Sequence, residues 1–432
     1  MQAAKTSGQR RKIALAYGRG SVSFYADPDI ADWYVVKPKF APALQNAREC
    51  FRAACRDPIG AAPVRDLVKA NDRVVIVTSD GTRAVPNKLL IPWLLDELPV
   101  SPDQVTVLLG NGSHRANTPA EIQSMFGKDL ATELRILNHD AYDPGHNEYV
   151  GRSASGGQAF LDKIYVEADR RIVLGFIEPH FFAGFSGGAK GIVPGVASIE
   201  TINYVHSAVL VGHPLSTWGV VQDNPIRTEI EQMVAHCPPD FTVNVTLNSD
   251  KHITACFLGD YIEAHRAGCV RSKEEAMVAV PHEFAMVITS NSGYPLDQNL
   301  YQAVKGMSAA ARIVKPGGTI LVASECSDGV PDHGNFADLM RVGTTADDIL
   351  ANVHRQEKVI VDQWQAQVAA EIMKKADVLV FSAMDPAAIA QCKLGVAADL
   401  QAEIESRIRA CGGRPQVAVL PDGPLTIPYV EA

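Results

Sequence analysis

The sequence lacks the features that direct a chain to nucleic acid, to a membrane or to an oxidising compartment. Its 432 residues contain no long basic run, and the formal net charge is -9, which argues against nucleic acid or an anionic membrane surface as a partner. No uninterrupted apolar run approaches the roughly eighteen residues of a membrane span, and the first twenty residues lack the apolar core of a secretory signal. The eight cysteines are scattered without a CxxC pair, a pattern typical of reduced, packing cysteines in a cytoplasmic protein.

What is present predicts a two-domain α/β protein. Short β-branched runs alternate with helical patterns, as in parallel sheets covered by helices. The main predicted strands are 73–80, 104–110, 171–176, 241–248, 284–291, 318–325, 377–384 and 416–423. The pattern restarts after a charged stretch near 271–277. We therefore predict two α/β domains with mostly parallel sheets and an interdomain active-site cleft. Their predicted extents are 1–272 and 273–415, with 416–432 as a strand and tail that can return to the first domain.

One loop places a lysine among small residues. The run HFFAGFSGGAKGIVPG covers residues 180–195 and contains Lys190. A phosphate loop starting at Gly184 would need glycine at 189 and a hydroxyl residue at 191, but the chain has Ala189 and Gly191, so we reject an ATPase. An ordinary surface turn is the simplest alternative. The apolar residues on both sides of the loop favour a partly buried lysine, which is a candidate nucleophile or covalent anchor.

Two further motifs follow predicted strands. The segment SDGTRAVPN contains Asp80, which can accept hydroxyl hydrogen bonds, and Arg83, which can hold a carboxylate or phosphate. A turn with a surface ion pair is equally compatible with it. The segment GNGSHRANT contains His114, but Arg115 stands where a GxGxxG fingerprint needs its third glycine. A dinucleotide site is therefore weakly supported, whereas a nucleotide phosphate at the following helix N-terminus stays open.

Two more histidines and one helix complete the candidate residues. His180 and His206 come from separate loops or helix ends, and neither has the HExxH spacing of a zinc protease. Each histidine alone is more often a hydrogen-bonded polar residue than a ligand, although one of them can hold a metal whose other ligands are not protein. Gln302 and Lys305 lie one turn apart on a helix predicted over 296–314 and so share a face. A solvated helix surface is the alternative for that pair.

Taken together and in order, these pieces resemble the lactate racemase family over roughly residues 12 to 425. The run GFSGGAKGIVPGVAS is specific by itself, and the short pieces are specific in combination. The residues that carry the resemblance are Asp80, Arg83, His114, Arg115, His180, Lys190, His206 and the segment YPLDQNLYQAVKGM at 294–307.

The resemblance implies a nickel-pincer nucleotide cofactor, a nickel pyridinium-3-thioamide-5-thiocarboxylate mononucleotide. It implies that Lys190 anchors the cofactor covalently and that His206 is the protein ligand to nickel. Arg83 and Lys305 are implied to contact the substrate, and His114 and His180 are implied to be the catalytic acid/base pair. Further cofactor contacts are implied at Asp80, Gly187, Gly188, Gln302 and Lys305.

The reaction implied by the resemblance is inversion of the C2 centre of a 2-hydroxy acid by hydride transfer to and from the cofactor. Imidazole suits the handling of the hydroxyl proton because its pKa lies near operating pH. The expected partners are a small 2-hydroxy acid and the enzymes that make the cofactor. Three alternatives stay open: an epimerase of a larger or sugar-derived acid, a non-catalytic cofactor-binding protein, and an NAD dehydrogenase, which the incomplete glycine fingerprint disfavours.

Overall fold

The structure is a computed structural model that describes residues 4–5, 9–331 and 334–431. The chain divides into two compact units. The continuous unit is residues 40–274, and the split unit is formed by residues up to 39 together with those from 275 onward. The backbone N–H of Lys39 donates to the carbonyl of Glu275 at 2.8 Å. The two points at which the chain crosses from one unit to the other are therefore adjacent.

The strands alternate with helices along most of the chain. The strands that begin before residue 150 are β1 (Ala4–Lys5), β2 (Arg11–Tyr17), β3 (Gly20–Ala26), β4 (Asp32–Val35), β5 (Val74–Ser79), β6 (Val105–Gly110), β7 (Arg135–Asn138) and β8 (Asn147–Arg152). The next are β9 (Gln158–Asp162), β10 (Arg170–Phe176), β11 (Pro179–His180), β12 (Gly184–Phe185), β13 (Phe241–Leu247), β14 (Ile253–Gly259) and β15 (Met277–Val280). The last are β16 (Phe284–Ser290), β17 (Val314–Ala323), β18 (Ala376–Phe381), β19 (Gly395–Val396), β20 (Gln416–Leu420) and β21 (Ile427–Val430).

The helices are mostly short. The first ten are α1 (Ala47–Arg56), α2 (Val64–Leu67), α3 (Asn87–Leu95), α4 (Pro119–Phe126), α5 (Lys128–Glu133), α6 (Lys163–Val166), α7 (Ile199–Val205), α8 (Ala208–Val211), α9 (Pro225–Val234) and α10 (Glu263–Ala276). The others are α11 (Leu300–Ala311), α12 (Phe336–Arg341), α13 (Ala346–Arg355), α14 (Gln363–Lys375), α15 (Pro386–Gln391) and α16 (Leu400–Ala410). Single 3₁₀ turns lie at Pro102–Gln104, Pro144–His146, Gly188–Gly191 and Gly423–Leu425. Within the described part of the chain, no helix has the length and apolarity to cross a membrane.

The continuous unit is built on a six-stranded sheet in the order β14-β13-β10-β5-β6-β7. All neighbours are parallel except β13 and β14. Strands β5, β6 and β10 are apolar almost throughout and pack against α1 and α3, as parallel strands covered on their faces do. After β5, the chain adds β6 and then β7 on one side of β5. Strand β10 is then added on the opposite side of β5. The gap between the ends of β5 and β10 is therefore a switch point, the usual ligand position in such sheets.

The split unit has a seven-stranded sheet in the order β1-β4-β20-β16-β17-β18-β19. Apart from the antiparallel pair of β1 and β4, its strands are parallel. The β2–β3 hairpin contributes Ile13, Leu15 and Phe24 to a core that includes Met286 and Leu321 of the sheet. The prediction of two α/β units with mostly parallel sheets is confirmed.

The predicted domain extents need two corrections. Residues 9–39 belong to the split unit because β4 pairs with β20, Trp33 opposite Val417. The C-terminal segment is not separate from the rest of the split unit, because its strand β20 lies between β4 and β16. The chain passes from the continuous unit to the split unit between residues 274 and 275. The predicted helix 296–314 is also shorter, since Asn299 caps a helix that begins at Leu300.

Candidate active site

Three loops of the continuous unit leave the same edge of its sheet. Because β5, β6 and β10 are parallel, their carboxyl ends lie together. Asp80 follows β5, and the loop with His114 follows β6. The segment 177–195 follows β10 and carries His180 and Lys190. The backbone N–H of Gly112 donates to the carbonyl of Gly195 at 2.9 Å, which joins the second loop to the third.

Asp80 and His114 form a close pair. Oδ2 of Asp80 lies 2.7 Å from Nδ1 of His114, and the Thr82 hydroxyl donates to Oδ1 at 2.6 Å. Burial, the largest influence, raises the pKa of Asp80, but the charge and hydrogen bond of His114, with Arg83 and Thr82, outweigh it and lower the pKa to about 2. Asp80 is therefore a carboxylate at neutral pH. It orients an imidazole whose side chain is 27% exposed and thus accessible to a ligand.

His180 is held by a short hairpin of β11 and β12, in which it pairs with Gly184. The backbone N–H of Ala183 donates to its Nδ1 at 3.3 Å, so a neutral ring carries its proton on Nε2. Its ring centroid lies 4.9 Å from that of Phe181 and 4.5 Å from that of Phe182. The hydrogen bond and the two aromatic contacts fix the orientation of the imidazole.

Lys190 stands in the 3₁₀ turn Gly188–Gly191 and is half-buried. Burial, followed by the positive charges of Arg83 and Arg227, lowers its pKa to about 7, against the opposing effects of Glu178 and Asp80. A substantial fraction of the amine is therefore neutral near pH 7 and nucleophilic. Lys190 lines a cavity whose other lining residues include Ser79, Arg83, Phe176, Gly187, Gly188 and Asn244.

The glycines beside Lys190 are required by the packing of the chain itself. Gly187 and Gly188 have φ angles of 77° and 59°, which side chains rarely adopt. A Cβ at Gly187 would lie 2.6 Å from Oδ1 of Asn244, and one at Gly188 would lie 2.6 Å from the ring of His265. Both positions line the cavity, but contacts within the protein are enough to account for glycine there.

His206 terminates α7, the helix whose N-cap Ser198 accepts a hydrogen bond from the backbone N–H of Thr201. Its Nδ1 lies 2.8 Å from the carbonyl of Ile202, to which an N–H must donate, so a neutral ring has its lone pair on Nε2. Burial first, and the charges of Lys190 and His114 after it, lower the pKa of His206 to about 3 despite the carbonyl bond, which raises it. The ring is therefore a neutral imidazole at physiological pH, with the carbonyl partner typical of metal-bound histidines.

His206 lies close to the other candidate residues. Phe182 contacts both the His180 ring and the His206 ring, with centroids 4.5 and 5.3 Å away. Within the described ranges, no cluster of three or more His, Cys, Asp or Glu side chains is arranged to bind a metal.

Arg83 lines the cavity and is held by a residue that the sequence interpretation missed. Its Nε lies 3.8 Å from Oε1 of Glu178, and both side chains are largely buried. Glu178 follows β10 and precedes His180, so its position at a strand end was an available signal. Arg227 was also missed, and its position inside α9 gave no such signal.

Gln302 and Lys305 lie in the split unit, on α11. Nζ of Lys305 donates to Oε1 of Gln302 at 2.6 Å, and the residues are only 3% and 7% exposed. The alternative of a solvated helix surface is therefore wrong. A buried ammonium next to an amide is suited to an anionic partner.

Comparison with known proteins identifies the family. Residues 17–219 match the model described as the lactate racemase N-terminal domain, and residues 280–427 match the lactate racemase C-terminal domain. The lactate racemase of Thermoanaerobacterium thermosaccharolyticum is 36% identical over 368 residues, 84% of this chain and 85% of that protein. The lactate racemase of Lactiplantibacillus plantarum is 36% identical over 384 residues, 88% of this chain and 90% of that protein. The chain belongs to the lactate racemase family.

Solved structures agree with this membership of the lactate racemase family. The lactate racemase apoprotein from T. thermosaccharolyticum superposes with a TM-score of 0.88 at 32% identity, covering 98% of this chain and all of that one. A Thermotoga maritima protein gives a TM-score of 0.69 at 18% identity, covering 89% of this chain and 98% of that one, which shows a shared fold alone. As a lactate racemase family member the chain is a racemase, and therefore an isomerase.

Proposed function

We propose that this racemase inverts the C2 centre of a 2-hydroxy acid by hydride transfer, with a nickel-pincer nucleotide held covalently at Lys190. The observation that carries the proposal is the position of a lysine with a pKa of about 7 at the sheet edge that also bears the Asp80–His114 pair. Family membership supports it, because two relatives at 36% identity are lactate racemases.

The residues present fit such a cofactor. Lys190 has a partly neutral amine in a cavity, as covalent attachment requires. His206 has the tautomer and the carbonyl bond of a nickel ligand. Because no cluster of metal-binding side chains exists among the described residues, a nickel ion here fits a molecule that brings its own donor atoms. Asp80, Gly187 and Gly188 are proposed contacts in the continuous unit, and Gln302 and Lys305 in the split unit.

When bound, this cofactor supplies a site that accepts a hydride from C2 and returns it. The protein residues manage the proton and the carboxylate. His114 and His180 take up and return the hydroxyl proton, each on one side of the substrate. Asp80 orients His114, while Arg83 and Lys305 are proposed to hold the carboxylate so that only C2 reorients. The interdomain cleft, in which residues of both units would meet the substrate, stays a prediction.

The substrate we favour is lactate, on the names of the two relatives. One observation favours a longer or sugar-derived 2-hydroxy acid as a second candidate. Asn111, in the loop of His114, has a buried Oδ1 without a hydrogen-bond partner. An additional substrate hydroxyl would satisfy that acceptor. The third expectation, a non-catalytic cofactor-binding protein, does not account for an acid/base pair oriented by a carboxylate.

The proposal is tested by co-expressing the chain with cofactor-making enzymes, measuring its intact mass, and then screening pairs of 2-hydroxy acid enantiomers. We expect a mass adduct on the wild type and on Lys128→Ala, which alters an exposed lysine of the same unit. Lys190→Ala should have none. A full adduct on Lys190→Ala would refute the anchoring, and no interconversion of any enantiomer pair by the loaded protein would refute the reaction.

A further inference from the structure

Arg227 is a buried arginine that binds the loop in front of Lys190. It lies on α9 and is 1% exposed. Its Nη1 donates to the carbonyl of Gly187 at 3.4 Å, and its Nη2 donates to the carbonyls of Ala183, at 3.2 Å, and Phe185. One guanidinium thus fixes three alternate carbonyls of the segment that leads into the turn of Lys190.

The charge of Arg227 has no acidic counterpart in direct contact. Among the described residues no carboxylate oxygen lies within 4.0 Å of its guanidinium, and its Nε has no hydrogen-bond partner. Burial lowers its pKa. An unpaired buried charge costs free energy, and a neutral donor could satisfy carbonyls with less cost. We therefore expect the positive charge of Arg227 to have a role other than packing.

That charge acts on the neighbouring titratable groups. Burial and the charge of Arg83 are the two largest causes that lower the pKa of Lys190 to about 7, and the charge of Arg227 is the third. It is also the second cause, after burial, that lowers the pKa of His265 to about 3. His265 donates from Nε2 to the carbonyl of Ser186 at 2.8 Å, within the same loop. Glu178 and Asp80 oppose these effects on Lys190, and Lys190 in turn lowers the pKa of His206. Around Arg227, burial lowers its pKa, Cys269 and Glu231 raise it, and Arg266 lowers it.

We infer that Arg227 is a positioning residue for Lys190, which sets the loop through three carbonyls and keeps a buried positive charge close to the lysine amine. The inference rests on the proposed role of Lys190 as the cofactor anchor. It assigns to the protein, before any cofactor arrives, the task of keeping the amine of Lys190 reactive.

The test is trace acetylation of the full-length chain without cofactor, as a function of pH, followed by mass spectrometry of the peptide that contains Lys190. In wild type, the acetylation rate should rise with a midpoint near pH 7. Arg227→Met removes the charge and should move the midpoint up by about one unit, so that acetylation at pH 7 falls about fivefold. Arg227→Lys keeps a charge and should stay near the wild-type midpoint.

The matched control is Arg48→Met, which removes an exposed arginine of the same unit paired with Asp96 at 2.6 Å and leaves the loop carbonyls untouched. Its profile should equal that of wild type. Thermal unfolding checks that each variant is folded. A folded Arg227→Met with the wild-type midpoint overturns the inference. If that variant does not fold, Arg227→Gln, which also removes the charge but keeps a hydrogen-bond donor, decides in its place, and a wild-type midpoint in Arg227→Gln overturns the inference as well.

The two proposals fail in distinguishable ways. Acetylation of Lys190 needs neither cofactor nor substrate, so its pH profile reports only on Arg227 and the loop. Absence of an adduct after co-expression would refute cofactor anchoring while the acetylation profiles kept their predicted differences.

Discussion

Oδ2 of Asp80 lies 2.7 Å from Nδ1 of His114, and this contact joins the ends of two neighbouring parallel strands. The carboxylate favours the tautomer with the proton on Nδ1 and so directs the lone pair of Nε2 away from itself. An imidazole oriented in this manner by a carboxylate is a general base whose Nε2 lone pair points in a fixed direction.

The first prediction is that Asp80→Asn slows racemisation by about 10²-fold, because the amide can leave His114 in the wrong tautomer. Rates measured with the loaded enzyme in both directions check it. Thr82→Val, which removes only the hydroxyl bond to Oδ1, is the milder control and should cost less. Unchanged rates in Asp80→Asn would show that His114 needs no orientation by Asp80.

The second prediction concerns stability and pH. The pKa of Asp80 is about 2 in the folded protein and about 3.9 when unfolded. A lowered pKa stabilises the fold above the unfolded value, and the effect is lost as pH falls through the folded value. Asp80→Asn should therefore lower the free energy of unfolding by roughly 2–3 kcal/mol at pH 5.

The difference between wild type and Asp80→Asn should shrink as pH falls from about 4 towards 2, measured by urea unfolding. Asp129→Asn, which alters an exposed carboxylate of α5, provides the comparison. A difference for Asp80→Asn that stays constant over this range would contradict the ionic role of the pair.

The third prediction is that His206→Ala loses or weakens bound nickel, because the ring that offers its Nε2 lone pair is gone. Metal analysis and the absorption spectrum of the loaded protein measure this. His213→Ala, seven residues later and exposed, should keep full nickel. Wild-type nickel stoichiometry in His206→Ala would remove His206 from the nickel shell.

The fourth prediction is that His114→Ala and His180→Ala each suppress racemisation in both directions, by about 10²–10⁴-fold. A full turnover uses both histidines, and no enzyme alters the equilibrium between enantiomers. Formation of 2-keto acid from one enantiomer should survive in each variant. His146→Ala, an exposed histidine of the same unit, should be near wild type. Near wild-type racemisation by either catalytic variant would leave that histidine a structural role.

The fifth prediction is that Lys305→Met raises KM for the 2-hydroxy acid by about 10- to 100-fold, since a charge-assisted hydrogen bond to a carboxylate contributes about 1.5–3 kcal/mol. Steady-state kinetics of the loaded enzyme separate this from an effect on kcat. Lys374→Met, which breaks a surface pair with Asp347, is the control in the same unit. An unaltered KM would count against carboxylate binding by Lys305 and against the predicted cleft.

The fold class was predictable from local patterns in the sequence. Helix α4, for example, has Thr118 as its N-cap, a capping box with Glu121, and Gly127 at its end, all of which are local sequence signals. Strands β5 and β6 were visible as apolar β-branched runs. In contrast, β4 has four residues, and its partner β20 lies nearly the whole chain away. No local pattern encodes such a pairing, which is why residues 9–39 were assigned to the wrong unit.

The site was partly predictable for a topological reason. Parallel strands bring their carboxyl ends to one edge, so the loops of Asp80, His114 and Lys190 had to be neighbours. The sequence does not specify which side chains touch. The Asp80–His114 hydrogen bond depends on the rotamers of both side chains and on the conformations of two loops. For Arg227, no sequence pattern indicates that its guanidinium is buried against the loop of Lys190.

The adjacency of Lys39 and Glu275 has a consequence for biosynthesis. The 2.8 Å bond between them makes residues 40–274 an insertion within the split unit. On a ribosome, the continuous unit is complete and can fold while β4 still waits for β20, because domains generally fold as units as they emerge. The segment 9–39, made before the continuous unit, is thus among the last to reach its position in the fold. Chaperones that bind unpaired strands of nascent chains could therefore bind this segment for most of the time that the chain is being synthesised.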